Sequence, residues 1–228
     1  PPGARPVRIV HISDMHSDPE PRLEERLPQL IAAQKPDLIV FTGDAANSLQ
    51  GLRVFKKCLS ELARLAPTFA VKGNWDIQSF SSIEMFGGTG VRELQGEAVR
   101  VEIGTTELWV AGNALWDPAR ILEAVAQIPD GAFAFFLHHI PDLIETAARE
   151  RVDLYCAGHT HGGQVALPFY GALITLSKYG KRFESGLYRV NETWLYVNRG
   201  IGMEGRHAPR VRFCARPEIT VIEIVPAG

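Results

Sequence analysis

Seven side chains bearing oxygen or imidazole nitrogen stand where the chain breaks from an apolar run. They are Asp14 and His16 in Ser13-Asp14-Met15-His16, Asp44 after Gly43, Asn74 after Gly73, His139, and His159 and His161 in Gly158-His159-Thr160-His161. Residues two apart in an extended segment point the same way, so Asp14-x-His16 and His159-x-His161 can each chelate as a unit. A carboxylate between two sub-sites can bridge cations about 3.5 to 4 Å apart. Imidazole mixed with carboxylate suits Mn, Fe, Zn or Co better than Ca or Mg, and no thiolate in the set points to structural zinc. Any one of these motifs is common; four of the seven histidines falling into a single ordered series is not.

The elements that must carry these groups alternate. The run 7–12 reads as a strand, 23–34 as a helix with Leu23, Leu27, Leu30 and Ile31 at helical spacing, and 38–42 as a buried strand ending in Gly43-Asp44. A helix over 49–65 and a strand over 68–71 follow, the latter leading to Gly73-Asn74. Next come a hairpin (99–103 and 107–111), a helix near 119–127, a strand 133–137 ending in His138-His139, a helix near 142–149, and a strand 153–157 ending at Gly158-His159. Strands at 187–190, 194–197 and 219–225 close the chain. This order predicts one layered α/β domain over 1–228, built on two sheets, with the polar groups at the C-terminal ends of the strands where open α/β sheets place their ligands.

Composition excludes several classes. Of 228 residues, 46% are hydrophobic and 22% charged, an ordinary globular balance. The formal net charge of -2 provides no global field for nucleic acid, so bulk nucleic-acid binding is not expected. Cys58, Cys156 and Cys214 form no C-x-x-C pair. No run approaches the roughly 18 to 20 apolar residues of a membrane span. The chain starts Pro1-Pro2-Gly3, which reads as a processed chain or a fragment and leaves an upstream signal or anchor undecided. A monomer in the cytoplasm or at the membrane periphery is the expectation.

The series S-D-M-H (13–16), T-G-D (42–44), G-N-W-D (73–76), H-x-P-D (139–142) and G-H-T-H-G-G-Q (158–164) resembles the calcineurin-like metallophosphoesterase superfamily. Its nearest likeness is to the YkuE-like phosphodiesterases and UDP-diacylglucosamine pyrophosphatases. The resemblance runs from about Val7 to Val225 and implies a four-layer α/β/β/α sandwich with two mixed sheets. It also implies two divalent or trivalent transition-metal ions (Mn, Fe or Zn), one held by Asp14, His16 and His161 and the other by Asn74, His139 and His159, with Asp44 bridging. The implied reaction is hydrolysis of a phosphodiester or pyrophosphate, in a nucleotide-sugar or lipid diphosphate for example, by a hydroxide between the metals; Asp44, Asn74 and His161 carry the catalytic roles. A phosphomonoesterase and a metal-binding scaffold without catalysis are the alternatives. The H-x-P spacing selects His139 over His138 as ligand. His11 is left to packing or support, and His207 to the surface.

One position departs from the pattern. Most of the superfamily carries His after the Asn of the G-N motif, where it protonates the leaving group; here the residue is Trp75. Indole has no titratable proton to give, a loss typically worth about 10²- to 10⁴-fold in rate. The substrate is therefore expected to have a good leaving group, or another residue to supply the proton, with Trp75 as an aromatic wall or a packing residue beside the site. Arg199, Asn47 and Asp117 are further candidates for substrate contact, and Lys72 sits close by. Residues 178–216 hold nine basic side chains against three glutamates, and 167–174 form an apolar stretch. A phosphate, an anionic headgroup or a lipid chain would suit these segments, and so would an ordinary solvated surface; together they make peripheral membrane contact compatible with the sequence.

Overall fold

The apolar runs are buried on both faces, and each face belongs to a different core. In β1 (Val7–Ile12), Val7 and Ile9 face one cluster while Val10 and Ile12 face another. In β2 (Leu38–Phe41), Leu38 and Val40 join the first of these, Ile39 and Phe41 the second. A strand buried on both faces must be covered on both sides, which is why these runs read as continuous rather than alternating hydrophobicity. The computed structural model describes residues 4–114, 118–205 and 209–226.

The first sheet runs β1, β2, β3 (Thr68–Ala70) and β4 (Arg92–Glu93) in parallel, and the last strand of the chain, Thr220–Ile224, pairs antiparallel with β1 on its other edge. The second sheet starts with the hairpin β5 (Glu97–Ile103) and β6 (Thr106–Gly112). It continues in parallel through β7 (Ala134–Leu137) and β8 (Leu154–Ala157) to Thr193–Val197, which pairs antiparallel with Gly186–Val190.

Three cores give four layers. Between the sheets, Ile9, Val40 and Phe69 pack with Val110, Phe135, Leu137 and Cys156. The outer face of the first sheet is covered by α1 (Leu27–Ala32) and α2 (Leu49–Leu62), through Leu27, Ile31, Phe55 and Leu59. On the outer face of the second, Phe136, Tyr155 and Leu195 pack under Ile121 of Pro118–Val125 and Ile144 of Ile144–Arg149. The α/β/β/α sandwich with two mixed sheets is the architecture expected from the sequence.

Some boundaries differ. The first helix begins at Leu27 rather than Leu23, because Pro28 fits only the first turn and the Glu24 carboxylate accepts the N–H groups of Arg22 and Leu23 in a turn ahead of it. A short helix over Asn74–Ser79 and the two-residue strands at Arg92–Glu93, Ala166–Leu167 and Gly171–Ala172 carry too few residues for periodicity to register. All three cysteines are unpaired, and among the described residues no helix is long and apolar enough to cross a membrane.

Phe135 lies at the centre of the inter-sheet core with no exposed surface. Phe135→Ala is expected to cost about 3 to 5 kcal/mol of unfolding free energy, read as a lower denaturant midpoint with an unchanged slope.

Candidate metal centre

Parallel strands from both sheets end at one place. The segments after β1, β2 and β3 come from the first sheet, those after β7 and β8 from the second, and backbone hydrogen bonds lace them together. Asp14 N–H donates to Gly43 O (2.9 Å), His16 N–H to Asp44 O (3.0 Å), and Gly158 N–H to His139 O (2.8 Å). The approach is so close that a Cβ on Gly73 would lie 2.1 Å from the Asp44 carboxylate, and one on Gly158 would lie 2.0 Å from Ser13 Oγ. Only hydrogen fits there.

Within this junction the ligand atoms of Asp14, His16 and His161 lie within 4.8 Å of one another, and so do those of Asp14, Asp44 and His139. Asp14 belongs to both groups. Asp44 Oδ2 is 3.5 Å from His16 Nε2 and 3.2 Å from His139 Nε2, and Asp14 Oδ1 is 3.3 Å from His161 Nε2. The His159 ring stands edge-on to His139 at 5.2 Å between centroids; its backbone N–H donates to Asp14 and its Nε2 faces the Leu176 carbonyl. Asn74 opens its short helix beside Asp44, whose Oδ1 accepts the neighbouring Trp75 N–H at 2.9 Å. The extended chelate geometry expected from the spacing is not the one used. Asp14, His16, Asp44, His159 and His161 all have positive φ, between 41° and 71°.

The rings are aimed. His16 Nδ1 donates to Asn47 Oδ1 at 3.1 Å and His139 Nδ1 to the Thr42 carbonyl at 2.5 Å, which turns both Nε2 atoms toward the carboxylates. His16 Nε2, His139 Nε2 and Asn74 Oδ1 are buried without a hydrogen-bond partner. Buried polar atoms are normally satisfied, so orphaned His16 Nε2 and His139 Nε2 facing the Asp44 carboxylate fit a cation site, with Asn74 Oδ1 orphaned on the neighbouring loop. His161 differs, because its Nδ1 faces the Arg212 guanidinium at 3.1 Å while Arg212 also donates to the carbonyls of Gly202 and Ala215.

Charge follows the same logic. Burial would raise the Asp14 carboxyl, but His161 and His139 beside it hold it well below the usual carboxylate range. Burial pulls His16 and His159 down to about 4, so both are neutral near pH 7. His139 is pushed the other way. Burial opposes its charge, yet Asp44 and Asp14 outweigh that and raise it from 6.5 to about 10.

Asp76 is the residue the sequence reading quoted but gave no role. Fully buried, its carboxylate accepts the N–H groups of Asp44 (2.9 Å), Ala45 (2.9 Å) and Gly73 (2.8 Å), tying the loops after β2 and β3 to each other. Burial and the Asp44 charge push its pKa up to about 7. The signal available was its position: an acid three residues after the Gly that precedes a helix accepts that residue's N–H.

The other candidates fall around the centre. Asn47 stands behind His16, donating to its carbonyl at 2.8 Å. Trp75 is 9% exposed, packs in the core of the first sheet and meets the His16 ring edge-on at 5.8 Å. Arg199 is paired with Glu218 at 2.5 Å and lies over Gly162. Lys72 pairs with Glu93 at 3.3 Å and lines, with Asn113 and Arg120, a cleft of about 290 Å³. His138 faces away, toward Ile140 and the Tyr155 hydroxyl, and His11 meets Thr42 Oγ1 at 2.8 Å. Asp117 and His207 lie outside the described residues.

Residues 7–163, more than half the chain, match the family model described as calcineurin-like phosphoesterase, and that span includes all seven side chains singled out in the sequence. The chain belongs to that family. As a calcineurin-like phosphoesterase it is 32% identical to the metallophosphoesterase YkuE of Bacillus subtilis (strain 168), over 98% of this chain and 81% of that one. It is also 32% identical to the phosphodiesterase YaeI of Escherichia coli (strain K12), over 98% of this chain and 84% of the relative. The UDP-2,3-diacylglucosamine pyrophosphatase LpxG of Chlamydia trachomatis (serovar D) is similar at 26% identity, over 95% and 83%. Calcineurin-like phosphoesterases are metal-dependent hydrolases, in keeping with the donor set found here.

Two outcomes test this site. Asp76→Asn keeps the shape but turns an amide N–H₂ on backbone donors, which should cost about 3 kcal/mol of stability and lower metal retention, read by denaturant unfolding and elemental analysis. His139, raised above its ordinary value, stabilises the metal-free protein below pH 6.5 and loses that contribution as pH rises through about 10. It is therefore protonated at pH 8, and metal uptake there should release about one proton from it, read by calorimetry in buffers of differing ionisation enthalpy.

Proposed function

We propose that this phosphoesterase hydrolyses a phosphodiester or pyrophosphate bond at a two-metal centre. Asp14, His16 and His161 would hold one ion, Asn74, His139 and His159 the other, and Asp44 would bridge. The observation that carries this reading is the convergence of five of these side chains within bonding reach, with His16 Nε2, His139 Nε2 and Asn74 Oδ1 buried and unsatisfied. Asp44 Oδ2 faces one imidazole from each proposed half, which supports the bridging role. The mixed nitrogen and oxygen donors favour Mn, Fe or Zn.

When bound, such a pair of cations polarises phosphoryl oxygens and lowers the pKa of water toward neutrality. The chain's own part is positioning. Asn47 and the Thr42 carbonyl fix the His16 and His139 rings, Asp76 fixes the Asp44 loop, and Arg212 grips His161 by its ring and backbone. The residue directly after Asn74 is Trp75, which has no titratable proton, and its ring is built into the core. This favours substrates that leave without a proton, such as diphosphates and aryl diesters. The names of YaeI and LpxG, a phosphodiesterase and a pyrophosphatase, agree with that class. An intact donor set weighs against a scaffold that has lost catalysis.

Turnover of bis-p-nitrophenyl phosphate with Mn, abolished in Asp44→Asn together with metal binding, is the expected result; bound metal with no turnover of any diester would sink the proposal. Trp75→His should raise the rate for alkyl diesters by about 10² and leave aryl diesters nearly unchanged. Equal effects on both would rule out the missing-acid account.

A further inference from the structure

Just past the metal-site loop the chain displays apolar side chains that its own fold leaves in water. Residues Ala166–Leu167 and Gly171–Ala172 pair as a small hairpin, and the segment around Phe213 joins its side, with Ala166 N–H donating to Phe213 O and Phe213 N–H to Gln164 O. Leu167, Tyr170, Ile174, Val211 and Phe213 are exposed on this unit, and Phe169 at the hairpin tip is fully so. Phe169 also has φ of 65°, a left-handed conformation unfavourable for an aromatic residue. Among the described residues nothing covers that tip. Contiguous apolar surface of this kind marks a contact with something outside the molecule.

Charge identifies the contact. Lys178, Arg182 and Arg216, on the two segments that frame the patch, are exposed and make no ion pair with a carboxylate among the described residues. Lys181 donates to the Tyr170 carbonyl and lies 3.4 Å from the centre of the Tyr170 ring, so cation and aromatic share one surface. A protruding aromatic tip with flanking cations suits the headgroup and acyl boundary of an anionic bilayer. A second copy fits poorly, because a two-fold contact would set these cations against themselves.

We propose that this hairpin and the Phe213 segment dock the protein on an anionic lipid surface. The patch adjoins the centre: the Leu176 carbonyl, at its end, lies 3.4 Å from His159 Nε2. Docking stands without the hydrolase reading. The substrate class it implies, a lipid with a phosphodiester or diphosphate headgroup, rests on that reading.

Flotation with vesicles of phosphatidylcholine alone and of phosphatidylcholine with phosphatidylglycerol tests it. The protein should partition onto the anionic vesicles about tenfold more strongly than onto the neutral ones. Phe169→Ser combined with Tyr170→Ser should weaken that about tenfold or more, and Lys178→Glu with Arg216→Glu should erase the anionic preference. Turnover of soluble bis-p-nitrophenyl phosphate should be unchanged in the Phe169→Ser, Tyr170→Ser protein, which both confirms its fold and separates failure of docking from failure of the hydrolase proposal. No partition onto either vesicle, or undiminished partition of both double variants, overturns docking. A concentration-dependent dimer lost in Phe169→Ser, Tyr170→Ser, without lipid binding, would assign the patch to a second copy and overturn it equally.

Discussion

Asp14 and Asp44 are two carboxylates buried side by side, and the rest of the site exists to make that tolerable. Charges taken out of water require positive partners and hydrogen bonds in return. His139 supplies the first, held protonated between the two in the metal-free protein. Backbone N–H groups supply the second, from Trp75 to Asp44 and from His159 to Asp14. The two sheets end against each other so that donors from both can reach the same small volume, and the glycines at 73 and 158 let the loops close to contact distance. A bound cation would take over the charge compensation that the neighbouring histidines provide.

The tail is as much a part of this arrangement as the segment matched by the family model. Asn198 donates to the His11 carbonyl and Gly202 N–H to the Asp14 carbonyl, while Arg212 reaches back to His161. These residues lie beyond position 163, where the family match ends. They clamp the first ligand loop from above and the last one from the side, so the centre is assembled from the beginning, middle and end of the chain.

Much of this was legible in the sequence, for definite reasons. Mostly apolar runs such as Val7–Ile12 and the residues around Phe135 announce the strands because burial on both faces leaves few positions for polar side chains. The ligand motifs stood out because each follows such a run. Asp76 was harder to read, since an acid near a helix start is usually only a cap, and its bonds to the Asp44 loop span about thirty residues that the sequence does not measure. Arg212 gave no signal at all: one cation among nine, distinguished only by where the fold carries it. The extended backbone expected for Asp14-x-His16 and His159-x-His161 is not the one found, because side-chain spacing is silent on the sign of φ.

Those left-handed residues set folding and chemistry against each other. Asp14, His16, Asp44, His159 and His161 hold a backbone shape that glycine adopts freely and L side chains resist, each at roughly 1 to 2 kcal/mol. A sequence chosen for foldability alone would drift toward glycine or asparagine at these five places and lose its donors in doing so. Their presence is a fingerprint of selection for something other than durability, written in torsion angles rather than in residue types.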